Sequence, residues 1–205
     1  MNWDHWEVLL LAPIMLVDYA LTILGARMAG REYASHFRSE HYELNPVWQA
    51  AIKTKRWFNP RHHVLALALP IVLFYVEQSS RGNLAISFAV LNAGILSMYA
   101  MILGQHASNL LVFRRLAMRP GDVTGSITMK HSFELANARY RALACAFPLA
   151  LGAALSRHPV AIGTAIGPAF YLLANLVWSA GRSPDKAILD GPAKGASGEP
   201  ASPSA

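Results

Sequence analysis

The chain has 205 residues, of which 54% are hydrophobic and 15% are charged, a composition too apolar for an ordinary soluble domain of this size. The formal net charge of +6 does not indicate nucleic acid, because the basic residues lie beside apolar runs and not on one folded face. Anionic lipid headgroups are the expected counterpart of these charges. We therefore predict an all-α, polytopic transmembrane helical bundle whose partner is the lipid bilayer.

Five apolar segments qualify as membrane spans. They cover about 7–27, 62–79, 82–106, 139–157 and 159–181. A helix needs about 20 residues to cross about 30 Å of hydrocarbon, and the second segment has only 13 uncharged residues between His63 and Glu77. The alternative for this segment is a re-entrant or surface helix.

The basic residues predict how these spans are threaded. Thirteen of the 18 Lys and Arg residues fall in two stretches, 27–61 and 114–141. The other two gaps between spans carry one basic residue each, Arg81 and Arg157. Because basic residues stay on the cytoplasmic side, this alternation favours five spans in a bacterial-type inner membrane. It places the N-terminus outside and the C-terminus in the cytoplasm.

The first cytoplasmic loop contains a helix-start signal. Asn45 followed by Pro46 is typical of an N-cap with a first-turn proline, which predicts a helix over about 46–58. Tryptophans and basic residues on one short helix favour a position in the membrane interface. A solvated connector is the alternative, because the amphipathic face is imperfect.

The apolar pattern of the third span continues as far as Met118, which predicts a helix of about 55 Å at 1.5 Å per residue. A second helical pattern begins near Thr128 and runs into the fourth span, so we expect a helical hairpin in the cytoplasm. The segment 183–205 has the composition of a disordered cytoplasmic tail. The integral membrane domain is therefore predicted to cover 1–182.

The fifth span contains Gly163 and Gly167, separated by three residues. This small-xxx-small spacing lets two helices approach closely in a membrane. We expect it to serve packing within the chain, and dimerisation is the alternative.

Polar residues inside the spans are candidates for a binding site. Asp18 lies near the centre of the first span, where a carboxylate is costly unless it is paired, solvated or protonated. Thr22 shares its helix face, and the third and fifth spans offer Asn92, Tyr99 and Asn175. These residues predict a site for a small ion or polar solute. The alternative is that Asp18 is a packing residue hydrogen-bonded to Asn92.

The threading also brings histidines and a carboxylate to the cytoplasmic edge. His62 and His63 begin the second span, His106 ends the third, and His131 and Glu134 approach the fourth. Imidazole with carboxylate at one depth suits a transition metal or a proton relay. No spacing matches a known zinc motif, so we expect no cofactor, with a metal ion or haem at His63, His106, His131 and Glu134 as the alternative.

Two short motifs carry a resemblance. Asp18-Tyr-Ala-Leu-Thr22, followed after the loop by Glu43-Leu-Asn45-Pro46, resembles small prokaryotic multi-pass membrane proteins of unknown function. In those proteins an aspartate and a Glu-x-Asn-Pro motif bracket the first span. The resemblance covers about the first quarter to third of the chain. It implies a multi-pass helical fold and supplies no activity.

Three functional classes remain open. The first is binding or translocation of a small ion or polar solute around Asp18, which with five spans would require a homo-oligomer for an enclosed pathway. The second is a membrane-embedded enzyme that uses the histidine and glutamate residues of the cytoplasmic edge. The chain has no nucleophile elbow, Walker loop or paired-cysteine motif, so an enzyme is less favoured. The third is a non-catalytic assembly or scaffold protein.

Overall fold

The computed structural model describes residues 5–33, 36–39 and 44–180. Its α-helices are α1 (Leu11–Met28), α2 (Pro46–Lys53), α3 (Pro60–Ser79), α4 (Asn83–Met118), α5 (His131–Ser156) and α6 (Pro159–Ala180). A 3₁₀ turn precedes α1 and a π turn follows it. The protein is mostly helical, in agreement with the predicted all-α class. The predicted tail and Glu43 lie outside the described residues.

Four helical segments are long and apolar enough to cross a membrane, which indicates a membrane protein. They are Glu7–Arg31, Pro60–Ser79, Asn83–Met118 and Pro159–Ser179. The second predicted span, the shortest apolar run, is among them because α3 recruits flanking residues on both sides. Helix α5 is not among them, because Glu134, Arg139 and Arg141 occupy its first half.

Helices α4 and α6 pack closely through glycines. A Cβ atom on Gly163 would overlap the carbonyl oxygen of Val90, and one on Gly167 would lie 2.7 Å from the Cβ of Ser97. The Ser97 hydroxyl donates to the carbonyl oxygen of Thr164 at 2.8 Å. The small-xxx-small motif therefore packs α6 against α4 within one chain, as the sequence predicts.

The first loop and the hairpin tip are joined by a short parallel strand pair. Strand β1 (Phe37–Ser39) pairs with β2 (Ile127–Met129). The backbone N–H of Ile127 donates to the carbonyl oxygen of His36 at 2.7 Å. Neither strand was predicted, because three residues are too few to show an alternating pattern and the partners are far apart in sequence.

The strand pair has two consequences for the predicted organisation. The helix expected to begin near Thr128 begins at His131, because β2 occupies the residues before it. The pairing also brings the described parts of the basic stretches 27–61 and 114–141 to the same end of the bundle. We call this the basic end.

Helix α2 begins as predicted but ends early. The side chain of Asn45 accepts a hydrogen bond from the backbone N–H of Val47 at 3.0 Å, with proline in the first turn. The predicted helix over 46–58 ends at Lys53, and the chain then turns through Lys55, whose φ is +52°. This backbone conformation interrupts the helix.

Candidate functional site

A partly enclosed cavity of about 220 Å³ lies near the basic end, between α1, α2, α3, α4 and α6. Its polar lining includes Asp18, Thr22, Asn45, Gln105, His106 and Asn109. Among the described residues that line it, Asp18 is the one carboxylate, and none is Lys or Arg. The described lining therefore contains one acidic side chain and no lysine or arginine beside it.

The centre of the site is the pair formed by Asp18 of α1 and His106 of α4. The Nε2 atom of His106 lies 3.1 Å from Asp18 Oδ1 and 3.1 Å from the Thr22 hydroxyl. The side chains of His106 and Asp18 are 17% and 19% exposed. The sequence assigned Asp18 to mid-membrane and His106 to the cytoplasmic edge, and the structure brings them into contact.

The hydrogen-bond geometry leaves the carboxylate available. The Thr22 hydroxyl donates to the carbonyl oxygen of Asp18 at 2.9 Å, so its oxygen is left to accept from the Nε2–H of His106. Although Asp18 Oδ1 is close to the same nitrogen, it accepts no hydrogen bond from any described residue, and His106 Nδ1 has no partner among them. We treat the Asp18–His106 contact as electrostatic, because the alignment needed for a hydrogen bond is missing.

Aromatic side chains form the wall contributed by α1, α2 and α3. The ring of Tyr19 stacks on His62 with centroids 4.6 Å apart, and Trp48 meets His62 edge-on at 5.3 Å. The Tyr19 hydroxyl donates to the carbonyl oxygen of Arg56 at 2.8 Å. Trp48 also packs against the buried cluster that includes Ile52 and Tyr19. These contacts make α2 part of the site.

Helix α6 provides the opposite wall. Tyr171 and Trp178 line the cavity, with their rings perpendicular and 6.4 Å apart. The Tyr171 hydroxyl is 3.5 Å from the side-chain oxygen of Gln105, to which it donates. Asn175 is fully buried behind them, and its amide donates to the carbonyl oxygen of Tyr171 at 2.9 Å. Asn175 therefore supports this wall and does not line the cavity.

Asn92 lies elsewhere. Its amide donates to the carboxylate of Glu77 in α3 at 2.6 Å, and both side chains are 6% exposed. Fourteen residues separate Asn92 from His106 on α4, which is about 21 Å along the helix. The alternative in which Asp18 is hydrogen-bonded to Asn92 is therefore wrong, because Asn92 belongs to a second polar pair near the other end of the bundle. Tyr99, which lies between Asn92 and His106 on α4, lines the cavity around Asp18.

The candidate metal ligands do not form one site. His63 is hydrogen-bonded through Nδ1 to the carbonyl oxygen of Asn59 at 2.8 Å, and His106 contacts Asp18. His131 and Glu134 lie in the first turn of α5 and are not part of the cavity lining. Across the described ranges, no group of three or more His, Cys, Asp or Glu side chains is placed to hold a metal ion.

Several residues of the cavity carried only a weak signal in the sequence. Tyr171 and Trp178 share one face of the fifth span with Asn175, at i, i+4 and i+7. They and Trp48 are nevertheless aromatic residues in apolar stretches, where packing is the usual explanation. His62 and His63 are adjacent, and only the helix phase of α3 decides that His62 faces the cavity. Asn45, however, lines the same cavity as Asp18, so part of the Glu-x-Asn-Pro motif reaches the site.

The comparisons with known proteins add no function. No family model, no curated protein and no solved structure matches this chain. The resemblance noted above thus rests on its two short motifs alone, and any function must be inferred from the cavity.

Proposed function

We propose that this protein binds a small ion or polar solute in the cavity around Asp18 and His106, and transfers it across the membrane. The observation that supports this most directly is the Asp18 carboxylate oxygen, which is buried beside a cavity and accepts no hydrogen bond from the described residues. An ionised group in this position is costly unless something compensates it. A bound ligand with hydrogen-bond donors or positive charge supplies that compensation.

The same geometry disfavours nucleophilic catalysis. In a catalytic triad the nucleophile and the carboxylate lie at opposite nitrogens of the histidine ring. Here Thr22 and Asp18 are both placed at Nε2 of His106, and Nδ1 has no partner among the described residues. The histidine is therefore poorly arranged to take a proton from Thr22 while being oriented by Asp18.

We also propose that α5 is a fifth span, in an inner membrane with the N-terminus outside. The helix is 26 residues long, and its apolar half follows Arg141. Arg139 is accommodated inside the bundle, because its guanidinium donates to the Ser179 hydroxyl at 2.9 Å and to the carbonyl oxygen of Asn175 at 3.4 Å. Anionic lipid headgroups are the proposed counterpart of the exposed arginines and lysines at the basic end.

The binding proposal is tested by thermal unfolding of the purified protein in lipid nanodiscs. The probes are Na⁺, K⁺, ammonium, Mg²⁺, choline, glycerol and urea, each added separately. A ligand at 100 times its dissociation constant stabilises the folded state by about 2.7 kcal/mol, so at least one probe should raise the unfolding temperature. We expect the Asp18→Asn variant to lose this stabilisation.

The matched control is Asp122→Asn. Asp122 is an acidic residue outside the cavity, paired with Arg115 at 2.9 Å on the surface, where such a pair contributes about 0–1 kcal/mol. This variant should respond to the stabilising probe as the unmodified protein does. If no probe distinguishes the unmodified protein from Asp18→Asn, the proposed site does not bind a ligand of this class.

A further inference from the structure

We propose that the ligand of the cavity is a small organic ammonium ion, with its charged nitrogen near Asp18 and its alkyl groups against the aromatic walls. This inference rests on the proposed function and specifies its substrate class. Three features of the cavity support it: its charge, its aromatic lining and its size.

The charge of the cavity favours a cation. Asp18 is the one carboxylate in the lining, and the lining contains no Lys or Arg among the described residues. Its Oδ1 atom is within 3.1 Å of His106, the nearest group able to carry a positive charge. A ligand cation placed beside this carboxylate finds no competing lysine or arginine in the described lining.

The aromatic lining favours an organic cation. Five side chains with aromatic faces or edges line the cavity: Tyr19, Trp48, Tyr99, Tyr171 and Trp178. They come from α1, α2, α4 and α6 and therefore surround the space. An ammonium group within about 6 Å of such a ring is attracted by the ring quadrupole, most strongly by tryptophan. The combination of a carboxylate with several rings suits alkylated ammonium groups, which cannot satisfy many hydrogen-bond acceptors.

The size argues against a bare inorganic ion. A volume of about 220 Å³ corresponds to roughly seven water molecules at about 30 Å³ each. A dehydrated Ca²⁺ requires six to eight oxygen ligands at short distances, and Mg²⁺ requires near-octahedral oxygens. The described part of the chain offers no cluster of three or more acidic or histidine ligands for this purpose. A cation with several carbon atoms fills the cavity better.

The test is equilibrium binding of radiolabelled choline to the protein in nanodiscs. Tetramethylammonium should compete, whereas the uncharged choline isostere 3,3-dimethyl-1-butanol should bind at least about tenfold more weakly because it lacks the charge. Asp18→Asn should weaken choline binding by at least about 30-fold. Na⁺ and K⁺ should not compete when ionic strength is kept constant.

The aromatic contribution is tested at Trp178. Trp178→Leu removes the ring and should weaken choline binding by about 2- to 30-fold, while Trp178→Phe, which keeps a π face, should retain part of the affinity. Trp57→Leu is the matched control, because Trp57 does not line the cavity and instead lies under the guanidinium of Arg27 at 4.7 Å. Its choline affinity should be unchanged.

The outcomes separate this inference from the function on which it rests. Equal binding of choline and its uncharged isostere, or specific competition by Na⁺ or K⁺ that depends on Asp18, would overturn the ammonium assignment and leave a binding site at Asp18. Identical losses of choline affinity in Trp178→Phe and Trp178→Leu would overturn the proposed contribution of the aromatic walls. If no probe of any class binds in an Asp18-dependent manner, both proposals fail.

Discussion

Substitutions at two glycines of α6 would test how closely this helix packs against α4. A Cβ atom on Gly167 would lie 2.7 Å from the Cβ of Ser97 and 2.8 Å from the carbonyl oxygen of Gly94, and one on Gly163 would overlap the carbonyl oxygen of Val90. Two of these obstacles are backbone atoms, which cannot rotate away. We therefore expect Gly163→Ala and Gly167→Ala to force the two helices apart.

The size of the effect follows from two opposing terms. Alanine favours a helix over glycine by about 1 kcal/mol, but overpacking a close contact costs typically about 1–3 kcal/mol. At Gly167 the three nearest contacts, at 2.7 to 2.8 Å, are shorter by roughly 0.6–0.7 Å than an ordinary 3.4 Å contact, and the whole helix must move to relieve them. We expect a net destabilisation of about 1–2 kcal/mol for Gly167→Ala, and a larger one for Gly163→Ala.

Two other helical glycines provide matched controls. A Cβ atom on Gly104 of α4 or Gly152 of α5 would meet nothing within 4 Å. The same substitution there should stabilise the protein by about 0.5–1 kcal/mol, because only the helix preference of alanine acts. The four variants differ only in the space around the new methyl group.

The assay is reversible unfolding of each variant in mixed micelles with increasing sodium dodecyl sulfate, followed by near-ultraviolet circular dichroism. The reasoning is refuted if Gly163→Ala and Gly167→Ala are stabilised like the two controls. A change from a larger to a smaller oligomer without a change in unfolding would also refute it, because it would assign the glycines to an interface between chains.

Three further predictions concern the second polar pair, the fifth span and the hairpin turn. Asn92→Ala should destabilise the protein by about 1–3 kcal/mol in the same assay, because the buried carboxylate of Glu77 loses a hydrogen-bond donor. Glu77→Gln keeps an acceptor for Asn92 and should cost less. Equal destabilisation by the two variants would contradict this prediction. Cys145 lies in the apolar half of α5 and is exposed on the protein surface, so a membrane-impermeant maleimide should label it only after the bilayer is dissolved. Labelling in intact vesicles would place α5 outside the membrane. Gly125→Ala should destabilise the hairpin turn by about 1–3 kcal/mol, because φ is +80° there, and proteolysis of the turn should become faster. Gly121→Ala, at a site without positive φ, should leave the rate of proteolysis unchanged.

Much of the fold follows from local sequence. The bounds of α3, α4 and α6 agree with the predicted segments to within a few residues, because apolar runs between charges and prolines determine where a helix begins and ends. Asn45 and Pro46 predict the start of α2 correctly, since an N-cap is a local hydrogen bond. The end of α2 was not predictable, because the left-handed backbone at Lys55 is fixed by its surroundings and not by its residue type.

Only part of the candidate site could be predicted from the sequence. Asp18 and Thr22 were found because a carboxylate inside a span is conspicuous, and Tyr99 because it shares a helix face with other polar residues. The sequence grouped Asn92 with Asp18 on the basis of estimated depth, whereas the structure pairs Asn92 with Glu77. Depth along a span limits which residues can meet, but helix tilt and rotation decide which of them do.

By itself the sequence determined which segments are helical and predicted five membrane spans, four of which are helices long and apolar enough to cross a membrane in the structure. These properties depend on composition and periodicity along the chain. Only the tertiary structure decided that His106, and not Asn92, is the neighbour of Asp18, and that Trp48 and Trp178 enclose the same cavity. These two pairs are 88 (106 − 18) and 130 (178 − 48) positions apart on the chain. Their proximity depends on how helices rotate and tilt when their surfaces pack, which no local pattern in the sequence specifies.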